Sequence, residues 1–277
     1  QKAAIFQVGL QREETKQVLW KSWLRALGYS KNMKPFEELA CRVPLNFIES
    51  IEPGERLVLK QAWLLGTAGL LPSQRLKEEF CHGEETRELE QVWQSVGKEA
   101  KTMRGSDWNF SHIYPNNSPV RRIVAQSQLL QRYSKGGLLR GILQLAKEAP
   151  SISGQRVLEN GLIVAGDGYW QDHFDFDVRA KTKNSALLGC GKAGEIIVNV
   201  LLPFAFSWGG IAGEPELKEK ALYLYLNYPK LAENGITRHM VRQLCLEDMA
   251  NFTACQQQGL IHIFRSYCRE GRCTQCP

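Results

Sequence analysis

Apolar residues recur along most of this 277-residue chain at the three- and four-residue spacing of an amphipathic helix. Residues 15–27 illustrate the pattern, because Val18, Leu19, Trp23 and Leu24 fall on one stripe. A further helix is expected to begin at Pro35. We therefore predict a mainly α fold, either a multi-helix bundle or an irregular helical array. The other segments with helical periodicity are 57–70, 84–103, 120–133, 138–149, 196–206, 216–226, 236–244 and 249–267.

One region departs from the helical pattern. Residues 162–170 join a short apolar stretch to Gly-Asp-Gly and an aromatic pair, and residues 174–178 alternate apolar with acidic side chains. Because a period of two is typical of strands, we predict a small β-hairpin or loop insert here. A boundary nearby predicts an N-terminal helical region, 1–150, and a C-terminal helical region, 151–277, or one continuous domain.

The composition, with 43% hydrophobic and 23% charged residues, is that of a globular protein. Its longest apolar run, 195–208, is interrupted by Asn199 and Pro203, which favours a buried helix over a membrane span. Eight cysteines in a chain of this length favour reduced thiols and a cytoplasmic location over a disulfide framework. The chain begins Gln-Lys-Ala without a methionine, so we expect a fragment of a longer protein.

Basic residues form two groups, and the net charge is +6. Such groups can meet nucleic-acid phosphates, although solvated helix surface is the alternative explanation. From them we predict nucleic-acid contacts by Arg121, Arg122, Arg265, Arg269 and Arg272. The two groups are Arg121, Arg122, Arg132, Lys135 and Arg140, and Arg238, Arg242, Arg265, Arg269 and Arg272.

Three closely spaced cysteines near the end of the chain, Cys268, Cys273 and Cys276, predict a metal site. Thiolates at this spacing suit zinc or an iron–sulfur cluster, and such sites usually have four protein ligands. The fourth ligand stays open; unliganded thiols at a frayed terminus are the alternative. The candidates for it are Cys255, Cys245, Cys190, His262, His239 and a cysteine beyond residue 277.

Three other motifs carry weaker signals. The sequence Gly-Cys-Gly-Lys-Ala-Gly at 189–194 has the glycine spacing of a dinucleotide fingerprint, but it lacks a clear preceding strand and a second βαβ unit, so we expect a loop before a helix. Asp172, His173 and Asp175 form a possible hydrolase site beside aromatic residues. Ser118-Pro119 predicts a helix start with a capping hydroxyl.

The segment 258–277 resembles the region of endonuclease III and MutY-type DNA glycosylases in which an iron–sulfur loop follows the last helix. It differs in having four residues between the first two cysteines, where those enzymes have six, and in lacking a fourth cysteine. The resemblance therefore implies a cluster and not base excision.

A wider resemblance is carried by short motifs in a fixed order along the chain. Together they resemble the bacterial family known as domain of unknown function 2851. The resemblance implies that full-length members carry a further N-terminal, β-rich region, and it implies no activity. The motifs are Leu27-Gly28-Tyr29, Asn32, Pro35-Phe36, Gly69-Leu70-Leu71, Asn117-Ser118-Pro119, Arg121-Arg122, Tyr169-Trp170, His173, Asn199, Pro203, Gln257-Gln258-Gly259-Leu260, Tyr267-Cys268, Cys273 and Cys276.

These observations lead to three functional hypotheses. The first is a metal-stapled, non-catalytic helical module associated with nucleic acid. The second is a structural or protein-interaction domain without a nucleic-acid role. The third, and most distant, is a hydrolase that uses Asp172, His173 and Asp175.

Overall fold

The computed structural model describes residues 2–51, 57–75, 83–111, 117–179, 186–247 and 252–276, and they form a mainly α structure, as predicted. The helices are α1 (Lys2–Arg12), α2 (Thr15–Leu27), α3 (Tyr29–Arg42), α4 (Leu45–Ser50), α5 (Leu57–Thr67), α6 (Pro72–Arg75), α7 (Glu84–Val96), α8 (Pro119–Arg132), α9 (Gly137–Glu148), α10 (Gly154–Leu162), α11 (Cys190–Ile196), α12 (Leu202–Ile211), α13 (Pro215–Leu226), α14 (Gly235–Gln243) and α15 (Ala254–Ile263).

Helix α2 lies in the centre of the core, and its predicted apolar stripe is buried. Trp20 and Trp23 are fully buried, so their indole N–H groups need partners inside the protein. Nε1 of Trp20 donates to the carbonyl of Val43 at 2.8 Å, and Nε1 of Trp23 donates to Oε1 of Gln126 at 2.6 Å. Because an unsatisfied buried donor costs about 1–3 kcal/mol, these bonds fix α2 against the end of α3 and against α8.

The start of α3 differs from the prediction. The helix begins at Tyr29 and contains Pro35, which was expected to begin it. The first turn is held from outside by Asn32, whose side chain exchanges two 2.8 Å hydrogen bonds with the backbone of Asn109. This long-range contact stabilises a turn that local sequence does not specify. Similarly, the helix predicted over 84–103 ends at Val96, before Gly97.

Residues Cys190–Ile211 form one continuous helical stretch in which α11 and α12 are joined by a π-helical segment, Ile197–Leu201. The prediction of a loop over 189–194 was therefore wrong from Cys190 onward, because α11 begins there. The π turn lies just before Pro203, whose ring would clash with the carbonyl four residues earlier in an α-helix. The extra residue in the turn accommodates that proline inside the stretch.

By length and composition alone, this stretch of the described residues is the one that qualifies as a membrane span. About two thirds of it, 67% of its most apolar 18-residue window, is buried inside the protein. The core helix of a globular protein satisfies the same criterion. Its position agrees with the buried helix predicted over 195–208.

The predicted hairpin is present, but it is shorter and lies slightly later than the extended piece at 162–170. Strands β1 (His173–Asp175) and β2 (Val178–Arg179) pair antiparallel, and Asp177 occupies the turn between them with φ of 56°. The Asp175 carboxylate accepts hydrogen bonds from both terminal nitrogens of Arg75, at 2.6 and 3.2 Å. This bidentate pair ties the hairpin to α6.

Side chains from both predicted regions contribute to one hydrophobic core. It contains Trp20 and Val124 from residues 1–150 and Ile196 and Phe204 from residues 151–277. The ring of Phe204 packs edge-on against Phe6 of α1, with 5.5 Å between ring centroids. The division into two regions stays a prediction.

Candidate functional site

The C-terminal helices carry most of the residues predicted to act. Two side chains cap these helices: Asn234 accepts from the backbone of Thr237 at the start of α14, and Thr253 accepts from the backbone of Gln256 at the start of α15. The two helices pack against each other, and the ring of His239 in α14 contacts the ring of Phe264 just after α15, with 5.7 Å between their centroids. A π-helical segment, Phe264–Cys268, continues α15, and a 3₁₀ turn, Cys273–Gln275, follows it. Capping and ring contact therefore position this part of the chain.

Exposed arginines are concentrated on this pair of helices and on the segment after α15. None of them forms an ion pair with another described residue. The nearby carboxylate of Glu233 pairs with Lys230 at 2.6 Å, and Lys230 and, to a smaller extent, Arg238 lower the pKa of this carboxyl. We call this group the arginine surface: Arg238, Arg242, Arg265, Arg269 and Arg272.

The three tail cysteines differ in their surroundings. Cys268 is half-buried, with its Sγ 3.9 Å from Sδ of Met240, whereas Cys273 and Cys276 are exposed. Among the residues that the structure describes, no group of three or more His, Cys, Asp or Glu side chains is arranged to hold a metal ion. All the described cysteines are free thiols.

The possible fourth ligands are dispersed over the described structure. Cys245 and Cys190 are exposed, and Cys255 is half-buried near the start of α15. The imidazole Nδ1 of His262 lies 3.1 Å from the hydroxyl of Ser266. His239 packs on Phe264. The thiols are therefore not brought together as one site by the folded helices themselves.

The predicted nucleic-acid contacts Arg121 and Arg122 are buried, with 0% and 4% exposure. Arg121 donates to the backbone carbonyls of Trp170 and His173, and its guanidinium lies 5.3 Å from the ring centroid of Phe174. Arg122 donates to the carbonyl of Leu187 at 2.8 Å and to the side chain of Asn117 at 2.7 Å. Both arginines therefore hold chain segments together, and their burial leaves neither of them on the surface.

The other three members of the first basic group also differ in whether their charged groups are used within the protein or exposed. Arg132 donates to the carbonyls of Gly161 and Ile163 at 2.8 and 2.9 Å, so its hydrogen-bonding groups are used within the protein. Lys135 and Arg140 are exposed. This group is mainly structural.

A third buried cation, Lys192, was missed by the sequence analysis. Its Nζ lies 3.2 Å from the ring centroid of Tyr29 and donates to Glu195 at 2.6 Å and to the carbonyl of Ala26 at 3.0 Å. Burial lowers the pKa of Lys192 to about 8, and Glu195 partly opposes that shift. The only sequence signal was a lysine among small residues at 189–194, which allows close packing around it.

Asp172 orients the ring of His173, but the described residues around this pair do not form an assembled active site. Nδ1 of His173 lies 2.8 Å from Asp172 and 2.9 Å from the carbonyl of Tyr169, and the His173 ring stacks on Tyr169 at 3.9 Å. Asp175 forms an ion pair with Arg75. Among the described residues, no hydroxyl or thiol hydrogen-bonds to the imidazole, so there is no positioned nucleophile. These contacts hold the hairpin.

Comparison with known proteins relates the sequence of this chain to one family. The model of the family described as "protein of unknown function (DUF2851)" matches residues 2–234 of the chain. No curated protein and no solved structure matched significantly. The resemblance to the 2851 family is thus confirmed, and the resemblance to endonuclease III and MutY-type glycosylases is not shown. All five residues of the arginine surface lie in the part of the chain beyond the match.

Proposed function

This chain belongs to the domain of unknown function 2851 family, and on that premise we propose that it is a non-catalytic helical module that associates with nucleic acid through its arginine surface. The observation that carries the proposal is a set of exposed arginines without ion-pair partners among the described residues. Guanidinium groups bind phosphates with good geometry, and free ones lose no internal partner on binding.

The spacing of these arginines supports contact with successive phosphates. Arg238 and Arg242 are four residues apart in α14, so they project from one face of that helix. Arg269 and Arg272 follow the π-helical end of α15. The packing of α14 on α15 keeps both pairs on neighbouring elements.

Binding of fluorescent single- and double-stranded oligonucleotides, followed by anisotropy at two salt concentrations, tests this function. Five phosphate contacts predict that affinity for duplex DNA falls about 500-fold between about 50 and 200 mM salt. Replacing Arg242, Arg269 and Arg272 with Gln should reduce the slope of log affinity against log salt by about 3.

A matched control removes the same charge elsewhere. Lys135, Arg140 and Arg156 are exposed on or beside α9 and α10, and replacing them with Gln also lowers the net charge by three, from +6 to +3. This control triple should keep the wild-type slope. Equal losses in the two triples, or salt-independent binding, would rule out a specific arginine surface.

The metal staple is a separate part of the proposal. It rests on the spacing of Cys268, Cys273 and Cys276 and on the exposure of the last two, which leaves them available to an ion. Metal analysis and an absorption spectrum of protein purified without oxygen test it. We expect stoichiometric zinc, or a broad absorption band at about 400 nm from an iron–sulfur cluster. Protein with neither would disprove the metal staple, but it would not bear on the proposal for the arginine surface.

A protein-interaction role is the second candidate, and exposed apolar side chains of α13 favour it. Leu222, Tyr223 and Leu226 are 43%, 45% and 48% exposed. Large exposed apolar groups on one helix are typical of contact surfaces. Absent nucleic-acid binding by the wild-type chain would favour this role over the first.

A further inference from the structure

A polar cleft lies between the first helix of the chain and the C-terminal helices, about 200 Å³ in volume. Two of its side chains come from the two π-helical segments: Asn199 from Ile197–Leu201 and Arg265 from Phe264–Cys268. π-helical turns cost stability and occur frequently at functional sites. The polar residues that line the cleft are Lys2, Glu195, Asn199, Asn234, Gln257, Gln258 and Arg265.

Among the described residues, the hydrogen-bond partners of the lysine in this cleft are neutral side chains. Nζ of Lys2 donates to the side-chain oxygens of Asn199 and of Gln258, the latter at 2.6 Å. A lysine ammonium has three N–H donors, so one remains after these two bonds. Asn199 is fixed in place because its amide also donates to the carbonyl of Glu195 at 2.7 Å. The third donor of Lys2 is therefore held in a set position.

The positive charge of the cleft is not balanced by the carboxylate that lines it. Oε2 of Glu195 is 2.6 Å from Nζ of Lys192, so this carboxylate already has a cationic partner. Arg265 forms no ion pair with any described residue. Burial and the neighbouring Arg265 lower the pKa of Lys2 to about 8, the direction expected for a cation that lacks a counter-charge.

We propose that the polar cleft binds the phosphoryl group of a small phosphate ester or of inorganic phosphate. Lys2 and Arg265 supply the charge, and the amide N–H₂ of Gln258, which donates to no described residue, supplies a neutral donor. A phosphoryl group has several terminal oxygens and can accept from all three. This inference goes beyond the proposed nucleic-acid role. Of the arginine surface it uses Arg265 alone, and it does not require that nucleic acid binds.

Calorimetric titration with inorganic phosphate, at an ionic strength matched with chloride, tests the cleft. Lys2→Gln should weaken phosphate binding about tenfold or more, because it removes a charged donor. Gln258→Glu is almost isosteric and places a carboxylate against Lys2. We expect Gln258→Glu to raise the thermal midpoint without phosphate and to abolish phosphate binding.

Arg269→Gln is the control, since Arg269 is exposed on the next turn and does not line the cleft. It should bind phosphate as the wild type does, and so should the Arg242, Arg269 and Arg272 triple, whether or not nucleic acid binds. The proposal is overturned if phosphate has no effect beyond chloride. A Gln258→Glu variant that is folded and binds phosphate normally would also overturn it.

The source of the phosphoryl group is decided by competition. A 5′-phosphorylated oligonucleotide that displaces inorganic phosphate, where the unphosphorylated strand does not, assigns the cleft to a nucleic-acid end. Displacement by a nucleoside monophosphate alone assigns it to a free small ester.

Discussion

Helix α8 and the segment that follows α15 carry arginines that look equivalent in sequence and differ completely in the folded chain. In α8, Arg121 and Arg122 lie between Val120 and Ile123, and both are buried. After α15, Arg265 and Arg269 are exposed. The difference shows that the charge of a segment does not identify a binding surface. What matters is whether the helix has a polar face.

The reason lies in the surroundings of the two helices. Residues 119–127 of α8 are all buried, so the helix has no solvent face in its first two turns. The backbone carbonyls of Trp170, His173 and Leu187 point toward α8. In this buried environment they need hydrogen-bond donors, which Arg121 and Arg122 supply. Arginine supplies several donors in a fixed fork and is the side chain best suited to that task.

The largest effect is expected from removing a buried arginine. Arg121→Ala should lower the free energy of unfolding by about 3 kcal/mol or more, because it leaves a cavity and deprives buried carbonyls of their donor. Urea unfolding measures the loss. The same substitution at exposed Arg269 is the control; equal losses at the two positions would show that the contrast between α8 and α15 is wrong.

The next effect concerns the pH dependence of stability near α8. The pKa of Lys192 is about 8 in the folded protein, below the value of an unfolded lysine. Between these two pKa values the unfolded chain binds more protons, so stability should rise with pH from about 8 upward and stay constant below it. We expect a gain of about 1–2 kcal/mol by about pH 9.5.

Lys192→Met isolates this contribution. The variant should lack the rise that Lys192 produces, while Lys135→Met, at an exposed position, should retain it. Urea unfolding at pH 7, 8 and about 9.5 gives the comparison. A wild-type curve that runs parallel to that of Lys192→Met would show that burial does not perturb this lysine.

The sequence was sufficient for the class of fold and most helix positions, because apolar periodicity is a local signal. The stripe in α2 and the starts of α7, α9 and α13 follow from it within a residue or two. Long-range contacts were not accessible in the same way. The start of α3 depends on Asn109, and the burial of Arg121 depends on carbonyls about 50 residues away, at 170 and 173.

The site shows the same limit. The exposure of Arg265, Arg269 and Arg272 could be expected from their position near a polar tail, whereas the polar cleft could not. It unites Lys2 with Gln258, two residues 256 positions apart in the chain. No local pattern marks such a pair. The isolated Asn199 in an apolar helix was the one visible signal, and it indicated an interruption, not a partner for a lysine.

A smaller effect on stability is expected from the residues that precede helices α8 and α15. Ser118 precedes α8 as predicted, but its buried hydroxyl makes no hydrogen bond to any described residue, whereas Thr253 caps α15 through a reciprocal pair with Gln256. Thr253→Ala should therefore lower the free energy of unfolding by about 1 kcal/mol. Ser118→Ala should be neutral or slightly stabilising, because it removes an unsatisfied buried polar group. Thermal unfolding of both variants decides, and a larger loss at Ser118 would reverse the assignment.

The smallest effect on stability, and the most informative for function, is expected at Arg269. Because its side chain is exposed and has no ion-pair partner among the described residues, Arg269→Ala should change the free energy of unfolding by less than about 0.5 kcal/mol. If it meets a phosphate, the same change should lower the salt slope of nucleic-acid binding by about 1. Arg140→Ala, equally exposed on α9, should leave both quantities unchanged. Together they separate an arginine that binds from one that is merely on the surface, the distinction that sequence alone misses between α8 and α15.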